Sequence, residues 1–219
     1  MIRLVVFDLD GTLVDSSRDL ADATNALLAE LGGARLSLDI VVSMVGEGAA
    51  VLVKRALERS GLDPEMPGAL VRFLELYDER LLNATRPYPG MIEALAGLGA
   101  KFRLAVLTNK PERPTLEILR GLEIRQFFSD VTGGDSAHGR KPNPAGLLDL
   151  AARAGAAASE TILVGDSPVD LETSRRAGTR VCLTRYGFGY RFTGTEFHGG
   201  EIFVDAAAEL PGAIESISA

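Results

Sequence analysis

The chain has 219 residues, a formal net charge of −7 and a single cysteine. That length can bury a sizeable core, either as one domain or as one domain carrying an insertion. The acidic balance excludes a protein whose main partner is the nucleic-acid backbone or an anionic membrane surface, and a lone Cys182 excludes an internal disulfide.

No apolar run approaches the roughly 18 residues that a membrane helix needs, and the N-terminus lacks a basic stretch leading into a cleavable apolar segment. Cys182 sits in RVCLTR, where apolar neighbours suit a plain buried thiol in a reducing compartment. The expectation is a cytoplasmic protein, monomer or homodimer, acting on a small mobile partner with no membrane or nucleic acid involved.

In chain order, the apolar runs RLVVFD, KFRLAVLT, TILVGD, RVCLT and EIFVD are each bounded by turn residues or charge. Continuous apolar runs of this length suit strands of a parallel sheet covered on both faces. Helical patterns separate most of them: GMIEALAGLGA, ERPTLEILRGL, NPAGLLDLAARAG and DLETSRRAG, several with a terminal Gly suited to a left-handed cap. Strand alternating with helix predicts a doubly wound α/β fold of five or six mostly parallel strands.

One interval breaks the alternation. From Ser16 to Ala84 only helix-like segments occur, among them SRDLADATNALLAELG, EGAAVLVKRALERSG and GALVRFLELYDERLL. In the first of these, Leu20, Ala23, Leu27, Leu28 and Leu31 fall on one helix face. This predicts a helical unit, residues 16–84, inserted into a core formed by residues 1–15 and 85–219. Pro87 and Pro89 disfavour helix and stiffen the return.

In an open parallel sheet, ligands bind beyond the carboxyl ends of the strands. Here those ends carry Asp8 and Asp10, then Thr108 and Asn109, then Asp166 with Asp170 close behind, and Lys141 lies just before a helix. Two like charges ~5 Å apart at an effective dielectric near 20 cost about 3 kcal/mol, so four gathered carboxylates call for a cation or must protonate. Oxygen donors without His or Cys favour a hard ion, and Mg²⁺ is the usual one beside phosphate. Such a site suits phosphoryl transfer, with Asp8 as nucleophile and Asp10 as acid/base.

The motifs DLDGTLVD, LTNK, the lysine of RKPNP and GDSPVD, in this order, resemble the four signatures of the haloacid dehalogenase superfamily. The helical insertion is similar to that family's α-helical cap. The resemblance implies that Asp8 is nucleophile and metal ligand, and that Asp10 is acid/base and a ligand through its backbone carbonyl. It makes Thr108 and Asn109 phosphate binders, Lys141 the lysine that orients nucleophile and phosphate, Asp166 a metal ligand, and Asp170 the acid supporting the metal shell. Dehalogenases proper lack the second aspartate, so Asp10 points to phosphatases and phosphomutases. The stretches VGEGAAVLVKRAL, GGDSAHGRKPNP and RYGFGY are similar to the phosphoglycolate phosphatase group, and Gly46, Glu47 and Gly48 become candidates for contact with the leaving group. The implied activity is Mg²⁺-dependent hydrolysis of a small phosphomonoester, with 2-phosphoglycolate first and pyrophosphate, a sugar phosphate or a phosphomutase reaction as alternatives.

A receiver-type phospho-acceptor module also gathers acids around Mg²⁺, but it leaves the inserted helices unexplained. GDSAHGRK mimics a P-loop yet carries Arg140 where lysine must follow the second Gly. A Ser167 nucleophile with Asp135 and His138 needs an unsupported contact between distant segments, and a cysteine phosphatase needs arginine where Phe188 stands. His138 and His198 offer no metal constellation, Gly187 and Gly189 suit a tight loop near the site, and Asp15 suits the approach to the first inserted helix. Thr108, Asn109 and Asp166 also suit capping of the helices that follow them.

Overall fold

In the computed structural model, which describes residues 1–192 and 195–218, β1 (Leu4–Phe7) leads through a tight turn to β2 (Val14–Asp15). Four helices follow: α1 (Ser17–Glu30), α2 (Leu38–Val42), α3 (Ala49–Arg59) and α4 (Ala69–Asp78). The chain returns through β3 (Arg86–Pro87) and continues α5 (Met91–Gly99), β4 (Arg103–Leu107), α6 (Glu112–Gly121), β5 (Asp130–Thr132) and α7 (Ala145–Arg153). It ends with β6 (Thr161–Gly165), α8 (Pro168–Ala177), β7 (Arg180–Thr184), β8 (Ile202–Val204) and α9 (Leu210–Ser216).

Six strands form one sheet in the order β5-β4-β1-β6-β7-β8, and every pairing in it is parallel. The predicted strand runs become β1, β4, β6, β7 and β8. All four residues of β1 are buried, as a central strand covered on both faces requires. Side chains alternate across it: Val5 and Phe7 face a layer containing Leu95 of α5, Ile118 of α6 and Ile214 of α9. Leu4 and Val6 face Leu147 and Leu150 of α7.

Strand order positions the site. The chain winds from β1 outward to β4 and β5, then crosses back to β6 on the other side, so the order reverses at β1. Phe7 is in register with Val106 of β4 and Val164 of β6. The residues just beyond β4, β1 and β6, which are Thr108, Asp8 and Asp166, therefore share one rim at the crevice where open sheets bind ligands.

The inserted helices pack on one another, α1 against α2 and α4, and α3 against α4. Leu20, Ala23, Leu27 and Leu28 are buried as the periodicity predicts, with Leu31 half-buried at the helix end. The insert leaves and rejoins the core through the antiparallel pairing of Val14 with Pro87 and Asp15 with Arg86. Asp15 also accepts a hydrogen bond from Ser17 N at 3.0 Å, at the start of α1. Asp19, 1% exposed, ties α1 to the return: its carboxylate accepts from Ala84 N, Thr85 N and Thr85 Oγ1 at 2.7–3.0 Å.

The glycine caps are only partly as predicted. Gly178 takes the left-handed conformation after α8 (φ 69°), and Gly155 does so just past α7 (φ 65°). Gly121 instead stays inside α6, where an added Cβ would lie 2.2 Å from Leu82, and Glu123 adopts φ 56° in its place.

Asp19→Ala leaves two backbone N–H groups and a hydroxyl without their charged acceptor. We expect a loss of about 2–4 kcal/mol in unfolding free energy, read from urea denaturation.

Candidate active site

Asp8 follows β1 directly and is 7% exposed. Its Oδ1 accepts from Leu9 N at 2.7 Å and from Lys141 Nζ at 2.9 Å. Lys141 Nζ also reaches Asp170 Oδ1 at 2.6 Å, and both side chains are essentially sealed from solvent. Desolvation pulls the Lys141 ammonium down, but Asp170 and Asp8 outweigh it and hold its pKa above the ordinary lysine value. The lysine stays charged.

Asp8, Asp166 and Asp170 each present a carboxylate oxygen within 4.8 Å of the others. Burial pushes the Asp8 carboxyl up to about 6, with Asp170 and Asp10 adding to the rise and Lys141 opposing it. Burial likewise pushes Asp166 well above the carboxylate range, helped by Asp170 and Asp8. Three carboxylates against one ammonium leave a formal excess of two negative charges. A divalent cation held by oxygen donors fits that excess and donor set, and no His or Cys is among the three.

Local backbone makes the crowding possible. Three glycines enclose Asp166: a Cβ on Gly11 would lie 2.0 Å from its Oδ2, one on Gly187 2.3 Å from its Cβ, and one on Gly189 2.7 Å from Oδ2. Gly11 also sits at φ 85°, which side-chain-bearing residues rarely adopt. Gly189 N donates to Asp166 Oδ2 at 2.7 Å, so Gly187 and Gly189 belong to the wall of the site.

Asp10 departs from the expected cluster of four acids. Its carboxylate stands apart from the other three and pairs with Lys110, whose Nζ lies 3.0 Å from Oδ1 and 2.8 Å from Oδ2. Ser16 Oγ donates to Asp10 Oδ1 at 2.6 Å. Lys110 Nζ also donates to Tyr77 Oη of α4 at 2.9 Å and lies 4.5 Å from the Tyr77 ring centroid. Desolvation opposes the charge on Lys110, but Asp10 and Tyr77 hold its pKa above the ordinary value.

Thr108 Oγ1 accepts from Lys110 N at 3.2 Å. The Asn109 side chain is spent on other groups: Nδ2 donates to Gly46 O at 2.9 Å and to Lys141 O at 3.0 Å, and Oδ1 accepts from Lys141 N at 2.7 Å. Neither residue caps α6, where Asp135 Oδ1 accepts from Glu112 N at 2.9 Å. Ser167, not Asp166, caps α8: its hydroxyl donates to Asp170 Oδ2 at 2.6 Å and accepts from Asp170 N, with Pro168 in the first turn. His138 pairs with Asp149 at 3.3 Å, and Asp135 accepts from Glu112 N.

A cleft of about 60 Å³ opens over these groups. Its far wall comes from the insert, through Leu20, Gly46, Gly48, Leu52, Phe73 and Tyr77. Glu47 instead pairs with Arg55 at 2.6 Å, half-exposed on α3. Burial pushes the Cys182 thiol up to about 12, which makes it inert in β7.

The sequence model of haloacid dehalogenase-like hydrolases matches residues 5–184, which span the sheet from β1 to β7 and all of these side chains. The chain belongs to that family. The phosphoglycolate phosphatase of Rhodospirillum rubrum is 43% identical over 196 residues, 86% of this chain and 81% of that protein. The phosphoglycolate phosphatase of Nitrosospira multiformis is 42% identical over 193 residues, 85% of each chain. The crystal structure of a predicted phosphoglycolate phosphatase from Haemophilus somnus matches with a TM-score of 0.86 at 32% identity, covering 100% of this chain and 98% of that one.

Within this hydrolase site, sequence reasoning missed Lys110, Tyr77 and Ser16. Lys110 stood in the LTNK motif itself, beside the strand end, and that adjacency was the signal available.

In metal-free buffer, Asp166→Asn keeps the shape and removes a buried like charge whose ionised form burial disfavours. We expect its urea-unfolding free energy at pH 7 to rise above that of the wild type, the sign expected where a folded-state carboxyl pKa is raised.

Proposed function

We propose that the protein is a Mg²⁺-dependent phosphatase that hydrolyses a small phosphomonoester, 2-phosphoglycolate first, through a phosphorylated Asp8. The observation that carries this reading is the separation of two aspartates two residues apart: Asp8 anchored by Lys141 beside Asp166 and Asp170, and Asp10 held aside by Lys110 and Ser16. Two carboxylates in different environments suit two roles, nucleophile and acid/base.

Lys141 and Leu9 N fix the rotamer of Asp8, so its carboxylate meets phosphorus in one orientation. Attack forms the Asp8 Oδ–P bond as the ester P–O bond breaks, and Asp10 gives a proton to the departing alkoxide oxygen. Water then attacks the phosphoaspartate and gives its proton to Asp10, which restores the Asp8 carboxylate and releases phosphate. Thr108 Oγ1 and Lys141 supply donors for the phosphoryl oxygens. Asp8, Asp166, Asp170 and the Asp10 backbone are the proposed surroundings of Mg²⁺, which when bound offsets the excess negative charge beside the phosphoryl group.

The 2-phosphoglycolate reading is supported by relatives of that name at 37–43% identity and by the small cleft. We take residues 16–84 as a cap unit over a core of residues 1–15 and 85–219. Gly46 and Gly48 would then approach the leaving group, while the Glu47–Arg55 pair argues against a substrate contact by Glu47.

Asp8→Asn should lower phosphate release from 2-phosphoglycolate by at least ~10³-fold with the fold kept, and EDTA should abolish turnover until Mg²⁺ is restored. Folded Asp8→Asn enzyme working at the wild-type rate would overturn the mechanism. A substrate profile in which 2-phosphoglycolate ranks no better than sugar phosphates would overturn the specificity alone.

A further inference from the structure

Asn109 and Lys110, consecutive residues beyond β4, each hold a group of the insert and a group of the active site. Asn109 joins Gly46 O to the backbone of Lys141. Lys110 joins Tyr77 Oη to the carboxylate of Asp10. The lysine lies beneath the insert with 8% of its surface exposed, and the sequence motifs assign it no task.

A carboxylate one methylene from the backbone has two free torsions, and in this site it has a second attraction available. Asp10 is next to Gly11, whose neighbour across the site is Asp166 and the acid cluster that calls for a cation. An acid/base that swings toward that cation is lost to proton transfer. Lys110 spans both Asp10 oxygens while Ser16 takes one of them, so the carboxylate plane is set by partners outside the cluster. Lys110 is itself aimed from two directions, since Tyr77 Oη accepts one of its protons and the Tyr77 ring faces its charge. Tyr77 is 3% exposed and stacks on Phe73 with ring centroids 6.0 Å apart, so its position follows the seating of α4.

We infer that Lys110 is the positioning residue for the acid/base Asp10, and that Tyr77 aims it, so that proton transfer is productive only with the inserted helices seated on the core. This inference rests on the acid/base reading of Asp10 given above. It differs from a substrate contact, because Lys110 would act on the reaction through Asp10 alone.

A double-mutant cycle separates these roles. The proteins are wild type, Lys110→Met, Asp10→Asn and the double variant, all with Mg²⁺, assayed by phosphate release from 2-phosphoglycolate and by p-nitrophenyl phosphate cleavage. General acid/base catalysis contributes ~10²–10⁴-fold, so Lys110→Met is expected to lower kcat by ~10²-fold with KM within ~3-fold of wild type. In the Asp10→Asn background the same change should cost no more than ~3-fold. Tyr77→Phe, which keeps the ring and removes only the hydroxyl, should lower kcat ~5-fold in wild type and less than ~2-fold beside Lys110→Met.

Equal losses in both backgrounds would overturn the inference in favour of a merely structural lysine. A raised KM with kcat retained would overturn it in favour of a substrate contact. If Lys110→Met does not fold, the cycle of Tyr77→Phe with Asp10→Asn decides in the same way. Failure of the phosphatase reading is distinguishable, because it appears in the wild type as no turnover of either ester.

Discussion

The ammonium of Lys141 is the group around which the rest of the structure is arranged. It sits beyond the central strand with Asp8 at 2.9 Å and Asp170 at 2.6 Å, and almost none of it meets water. A buried charge of either sign is tolerable only when paired, so neither the lysine nor its two acids can be changed singly without stranding the others. The surrounding backbone obeys this constraint. Asn109 bonds both the N–H and the C=O of Lys141, fixing the lysine from its main chain. Ser167 and Asp170 share the first turn of α8, so one acid serves both a helix cap and the ion pair. Glycines at 11, 187 and 189 let two chain segments close around Asp166 where any side chain would collide.

The pairing is incomplete by design of its charges: one ammonium cannot neutralise three carboxylates. Burial, with the neighbouring acids adding to it, raises the pKa values of Asp8 and Asp166, and the geometry keeps the oxygens close enough to share a cation. Asp10 stands apart from the crowd, paired with a second lysine, Lys110. Its two neighbours in sequence terms, the turn glycine and the strand, say nothing of this; the separation is produced by Lys110 and by the helices packed over it.

The sheet was legible because a strand covered on both faces reads as a near-continuous apolar run, and five of its six strands carry such a run. β5 was not, since Asp130–Thr132 is three residues long at the sheet edge and only partly covered. The β2–β3 pairing is two residues per strand, and α9 contains Pro211 and Gly212, so neither carries a readable period. Asp8, Lys141, Asp166 and Asp170 were legible from their motifs and meet in space. Lys110, Tyr77 and Ser16 escaped notice because the pairings that define them are long-range: Lys110 reaches Asp10 across 100 positions and Tyr77 across 33. Asn109 was read as a phosphate binder from the same motif, whereas its amide is occupied in joining the insert to the core.

The chain enters and leaves the inserted helices through adjacent two-residue strands, with Asp19 bonding the returning backbone just below. At this junction the two posts, Val14–Asp15 and Arg86–Pro87, stand side by side, so the sheet pairings themselves do not run through the helices. Exposed junctions with neighbouring ends are where folds accept foreign segments most readily. Another set of helices threaded between the same posts would leave the strand pairings intact but would have to supply its own partners for Asn109 and Lys110.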